Sequence, residues 1–122
     1  MNVYIEPKIK DLVIFMNKVG YDTYASCQGH GIPTNIVKPY IAFKTTELKA
    51  KQLEKILRDD SESSLGKLNW GWSLIANFNG DYEIVYRLAP ENPRKKSFKY
   101  WRKSLEQDFE AMKKLLDDFI KA

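Results

Sequence analysis

The chain has one cysteine, Cys27, and one histidine, His30, among its 122 residues. A lone thiol closes no internal disulfide, so the fold must stand on its core, and a reducing compartment is expected. A structural zinc site needs four nitrogen or sulfur ligands, usually in two pairs, and Cys27-x-x-His30 supplies one pair. Any metal would need carboxylates or a second subunit, so no metal and no cofactor are expected. No apolar run approaches the roughly 18–20 residues that cross a bilayer, and no secretory leader opens the chain. A soluble, cytoplasmic protein is the expectation. The sequence also lacks a P-loop, a GxGxxG fingerprint, an internal repeat and a low-complexity tract. No two carboxylates stand in a context that suggests acid/base work.

What is present suits one domain over residues 1–122, with 43% apolar and 13% aromatic residues and length enough for a single core. The net charge is +4, an excess that permits anionic partners without requiring nucleic acid.

Asn2–Ile5 alternates like a short strand. Pro7 suits a first helical turn. Ile9, Leu12, Val13, Met16 and Val19 then follow the helical spacing until Gly20 ends the run. Tyr21–Ser26 and Tyr40–Lys44 read as strands, joined by a connector, Cys27–Lys38, longer than a tight hairpin needs. Thr45 and Thr46 precede a second helix with Ala50, Leu53, Ile56 and Leu57 on one face. Leu68, Trp70, Trp72, Leu74, Ala76 and Phe78 occupy alternate positions of a long half-buried strand. Asn79-Gly80 signals a hairpin into Tyr82, Ile84, Tyr86 and Leu88.

A two-residue loop would pair Ala76 with Glu83. A three-residue loop, Asn79-Gly80-Asp81, pairs Ala76 with Ile84 and Leu74 with Tyr86, which keeps apolar residues on one face. After Pro90 and Pro93, Ser97 is placed as the cap of a final helix reaching almost to Ala122, roughly 35 Å long. The expected order is β-α-β-β-α-β-β-α. This is an α+β fold, an antiparallel sheet with helices on one face and a long C-terminal helix.

Two stretches carry candidate chemistry. The first is Ser26-Cys27-Gln28-Gly29-His30, where Cys27 is either a thiol nucleophile assisted by His30 or a small packing residue at a strand end. No third, orienting residue is evident, and non-catalytic binding is the preferred reading. The second is the acid-free run Arg94, Lys95, Lys96, Lys99, Arg102, Lys103, read as the entrance of the last helix. Glu106, Asp108, Glu110, Asp117 and Asp118 follow it, so the helix is charged against its own dipole. Either an anion at the N-terminus relieves this or the charges form a solvated face paired across subunits. Phe98, Tyr100 and Trp101 interleave with the run. On this reading Arg94, Lys95, Lys99, Arg102 and Lys103 contact phosphate, Asn92 bonds a base or ribose, and Tyr82 or Tyr86 stacks. Ser26, Gln28 and His30 line the other side.

Ser26-Cys27-Gln28-Gly29-His30, with Pro39-Tyr40-Ile41-Ala42-Phe43 after it, resembles an SCxGH…PYIxF pattern of small phage-encoded proteins. In element order and length the chain most resembles the Thoeris anti-defence sponge proteins. That resemblance implies a homo-oligomer built on dimers, acting in an infected bacterial host. It would sequester a cyclic ADP-ribose isomer, or a related cyclic nucleotide, without cleaving it. Neither duplex DNA nor a membrane is an implied partner. The alternatives are a nucleotide- or RNA-directed enzyme using Cys27 and His30, and a phage inhibitor of a host protein. The segment also resembles the Ser-Cys-Ser-Gly turn of the wybutosine-synthesis methyltransferase-like family, but Gln28 and His30 depart from it.

Overall fold

The computed structural model describes residues 4–34 and 36–122. Its elements are helix α1 (Lys10–Lys18), strands β1 (Asp22–Cys27) and β2 (Tyr40–Lys44), helix α2 (Glu47–Glu62), strands β3 (Trp70–Phe78) and β4 (Ile84–Pro93), a 3₁₀ helix (Lys96–Tyr100) and helix α3 (Lys103–Lys121). The strands form one antiparallel sheet in the order β1-β2-β4-β3. The fold is α+β with a long C-terminal helix, as its hydrophobic periodicities require.

A single core cluster joins the layers. Leu12, Val13 and Met16 of α1, Leu53 and Leu57 of α2, and Leu105, Phe109, Met112 and Leu116 of α3 pack on Ile41, Phe43, Trp70, Trp72 and Leu88 of the sheet. The inward apolar stripe of each helix therefore meets the inward set of alternating strand residues. Helix α1 stops at Gly20 (φ +105°), where Tyr21 N–H donates to Met16 O and Gly20 N–H to Asn17 O. This is the glycine-terminated cap its sequence announces. Thr46 caps α2 by accepting from Lys49 N–H at 3.2 Å.

Three expectations need correcting. Of the strand expected over Asn2–Ile5, residues 2 and 3 lie outside the described residues, and Tyr4 and Ile5 have no regular structure.

The hairpin keeps the face argued from burial but slides along the chain. Ala76 pairs with Tyr86, Leu74 with Leu88 and Phe78 with Ile84. Asn79 N–H donates to Glu83 O, so the three loop residues are Gly80, Asp81 and Tyr82. The Asn79 side chain decides this, because its Oδ1 accepts from both Asp81 N–H and Glu83 N–H.

The final helix is shorter than expected and does not start at Ser97. The chain makes a 3₁₀ turn, extends at Trp101 (φ −125°, ψ 93°) and begins α3 at Lys103. At about 1.5 Å per residue its 19 residues span about 28 Å. Ser104 secures the break: its backbone N–H and its hydroxyl both donate to Trp101 O. Ser97 makes no side-chain cap.

Candidate functional site

The connector between β1 and β2 folds back on the N-terminal segment. Gln28 Oε1 accepts from Lys8 N–H, and Gln28 N–H donates to Glu6 Oε1, both at 2.9 Å. Gly29 and Gly31 adopt φ of +84° and +89°, a region that side chains with a Cβ rarely enter. Between them His30 pairs its backbone N–H with Val37 O. Its imidazole Nε2 lies 2.8 Å from Glu6 Oε2. The same carboxylate stands beside Cys27, whose Sγ accepts from Gly29 N–H at 3.4 Å. One donor atom from each of Glu6, Cys27 and His30 lies within 4.8 Å of the other two.

Glu6 is the residue the sequence reading missed. It precedes α1 by a few positions and is twenty-one residues from Cys27, in a segment whose only visible signal is Pro7. Nothing in local spacing announces that it meets the loop.

Its position bears on catalysis. Glu6 and His30 both stand near the thiol, and of the two it is Glu6 that shifts it. Burial pushes the Cys27 thiol above its ordinary range; the Gly29 N–H pulls it down, Glu6 pushes it up and Arg102 pulls it down again. A thiol held protonated, with its histidine engaged by a carboxylate, is a poor nucleophile.

The basic run does not converge on one point. Arg94 is structural: Nε donates to Leu68 O at 2.7 Å, Nη2 to Asp60 O at 2.6 Å, and Nη1 to Ser63 O at 3.2 Å. Nη2 also lies 3.4 Å from Asp60 Oδ2. Arg102 holds the loop, with Nη2 donating to Gly31 O at 2.6 Å and Nη1 packed where a Cβ on Gly29 would stand. Lys95, Lys96 and Lys103 are exposed and Lys99 partly so. Thr34 N–H donates to Lys99 O and ties this segment to the connector.

The expected polarity holds only in part for α3. Arg102 and Lys103 open it and Asp117 and Asp118 lie near its end, but Arg94 to Lys99 precede it, its first turn also carries Glu106 and its last turn Lys121. Asp108 is buried under the sheet instead of lying on a solvent face.

The remaining predicted residues scatter. Tyr82 stands at the hairpin tip, exposed, while Arg94 follows the other end of β4. The ten residues of β4 separate the two by roughly 30 Å. Tyr86 is stacked on Phe43 at 5.8 Å and packs against the core. It also lines an apolar recess of about 370 Å³ between α2 and β3, beside Ala50, Leu74 and Ala76, remote in sequence from the connector. Ser26 lies in β1 opposite Ile41. Asn92 is exposed near the end of β4. Thus Gln28, His30 and Arg102 come together at the loop, whereas Tyr82, Tyr86 and Arg94 do not join them.

No protein-family model, no curated protein and no solved structure matches the chain. This corrects the resemblance drawn from Ser26–His30 and Pro39–Phe43. The expectations of a phage or viral protein, of Thoeris anti-defence and of a sponge that binds cyclic ADP-ribose or another cyclic nucleotide find no support and are withdrawn. Here Gly29 and Gly31 serve the turn, and Tyr40–Phe43 is a sheet strand. Among the described residues, no helix is long and apolar enough to cross a membrane.

Proposed function

We propose that the chain is a binding protein for a flexible polyanion, single-stranded RNA being the class its surface suits. The reading rests on one observation. Among the described residues, Lys95, Lys96, Lys99 and Lys103 have no carboxylate within ion-pair distance and fall within one stretch of nine residues; Lys10, Lys18, Lys38, Lys49, Lys67 and Lys113 also lack one but are spread along the chain, and Lys8, Lys44, Lys51, Lys55, Lys114 and Lys121 each pair with one. Unpaired cations grouped on one short segment release counterions when phosphates replace them.

Tyr100 and Trp101, in the same segment, are 65% and 43% exposed. Exposed rings between cations suit stacking on unpaired bases, which contributes about 1–3 kcal/mol per base in single-strand sites. The four lysines then hold phosphates, and Asn92 borders the same stretch of chain. Arg94 and Arg102 are left out of the contact set because their guanidinium groups serve the fold. The site has no geometry for cleavage: neither Cys27 nor His30 belongs to it.

Anisotropy of a labelled RNA oligomer, read together with tryptophan fluorescence, tests the proposal. Binding that quenches Trp101 and weakens as salt rises supports it. Equal binding of a duplex, or of a polyanion without bases, overturns the stacking role. No binding at low salt overturns the whole.

A further inference from the structure

We propose that Glu6, Cys27 and His30 form a binding site for one divalent transition-metal ion of the zinc type. The three side chains come from separate parts of the connector and the N-terminal segment, yet their donor atoms all lie within 4.8 Å of one another. Ligands at zinc bond lengths of 2.0–2.3 Å stand roughly 3.3–3.8 Å apart in a tetrahedron, so small side-chain rotations bring the three donors into range. Sulfur, imidazole nitrogen and carboxylate oxygen together suit zinc or cobalt(II), and thiolate disfavours magnesium or calcium.

The surroundings orient each ligand, as the outer shell of a metal site does. Gln28 N–H holds Glu6 Oε1 at 2.9 Å and leaves Oε2 facing His30. Gly29 N–H donates to Cys27 Sγ at 3.4 Å. The His30–Val37 backbone bond and the Arg102–Gly31 bond at 2.6 Å fix the loop on either side of the imidazole. Gly29 is required for this packing, because a Cβ there would stand 2.8 Å from Arg102 Nη1 and 2.9 Å from Pro39 Cδ. The Arg102 guanidinium is the nearby positive charge a cation must tolerate, and its bond to Gly31 O restrains it.

Three protein ligands leave a fourth position. The His30 side chain is 54% exposed and that of Glu6 21%, so this position faces solvent and takes water or a small anion. The arrangement is that of an open site, in contrast to the four protein ligands of a structural zinc site. It adjoins the lysine segment through Arg102 and Thr34 but shares no ligand with it.

The test uses the full chain, stripped with a chelator and titrated with cobalt(II). The expected result is saturation at one ion per chain, a thiolate-to-cobalt charge-transfer absorption in the near ultraviolet, and displacement of cobalt by one equivalent of zinc. Cys27→Ser abolishes the charge-transfer band, and Glu6→Gln and His30→Gln each weaken cobalt binding at least tenfold. Thermal unfolding of each metal-free variant confirms that it is folded. His30→Gln changes a half-exposed side chain, so it reports on the site even where Glu6→Gln disturbs the loop. Absence of the thiolate band, one ion shared between two chains, or unaltered affinity in His30→Gln overturns the proposal.

Discussion

The indole N–H of Trp72 donates to Asp108 Oδ2 across 2.9 Å in the buried layer between β3 and α3. The same carboxylate accepts from Asn69 N–H at 2.7 Å and Trp70 N–H at 3.0 Å, so one acid of α3 takes up the unpaired start of a strand. These bonds favour the charged form, yet burial outweighs them and pushes Asp108 up to about 6.

That balance gives a stability profile of unusual sign. The folded chain holds the Asp108 proton to about pH 6, while the unfolded chain releases it near its ordinary 3.8. Between these values the folded state binds more protons, so this group's contribution to stability falls as pH rises and is flat above 6. Full ionisation costs about 3 kcal/mol. Denaturant unfolding of the native chain and of Asp108→Asn from pH 4 to 7.5 checks this. The variant is less stable throughout, because an amide nitrogen must face an N–H donor. The native chain's advantage shrinks as pH rises toward 6 and then stays constant.

Arg94 is predicted to be a stability residue. Its guanidinium joins Asp60, Ser63 and Leu68, and Asp60 in turn accepts from Lys67 N–H and Leu68 N–H. Arg94→Ala unpairs these partly buried acceptors and lowers unfolding stability by about 2 kcal/mol. Arg94→Lys recovers only part, because an ammonium cannot reproduce the fork. RNA affinity, measured below the unfolding transition, stays within twofold in both. A tenfold loss would return Arg94 to the binding surface.

Tyr82 occupies φ +62° at the hairpin tip and is 86% exposed. A three-residue hairpin loop takes its left-handed residue at this place, and glycine is the residue that does so without strain. Tyr82→Gly raises stability by about 0.5–1 kcal/mol. A loss of stability in equilibrium unfolding would mean that the ring packs on something.

Lys99→Ala and Lys103→Ala are each predicted to reduce RNA affinity by a few fold and to flatten the slope of log affinity against log salt by about 0.7, the single-strand value per phosphate contact. Lys114→Ala, on α3 and paired with Asp118, leaves both unchanged. An equal effect at Lys114 would reduce the segment's role to overall charge.

Much of the fold was legible in the residues themselves, because local periodicity carries it. The spacing of Ile9 to Val19, the cap at Gly20 and the alternation from Leu68 to Phe78 each identify an element and its inward face. Parity alone kept Leu74, Ala76 and Tyr86 on the same side of the sheet. It could not fix which of several same-parity registers holds; the Asn79 side chain did that. The break before α3 was not legible, since Phe98, Trp101 and Leu105 keep helical spacing across it, and the carbonyl of Trp101 is taken by Ser104.

The sites divide in the same way. A charge count along the chain marks Lys95 to Lys103, but only tertiary structure separates the free lysines from Arg94 and Arg102, whose partners lie 26 to 71 residues away. Cys27 and His30 are neighbours in sequence. Glu6 joins them because the connector folds onto the N-terminal segment through Gln28. Periodicity reports which face of an element is buried. Which distant carboxylate or carbonyl meets a given side chain depends on how the elements pack, and no local pattern contains that.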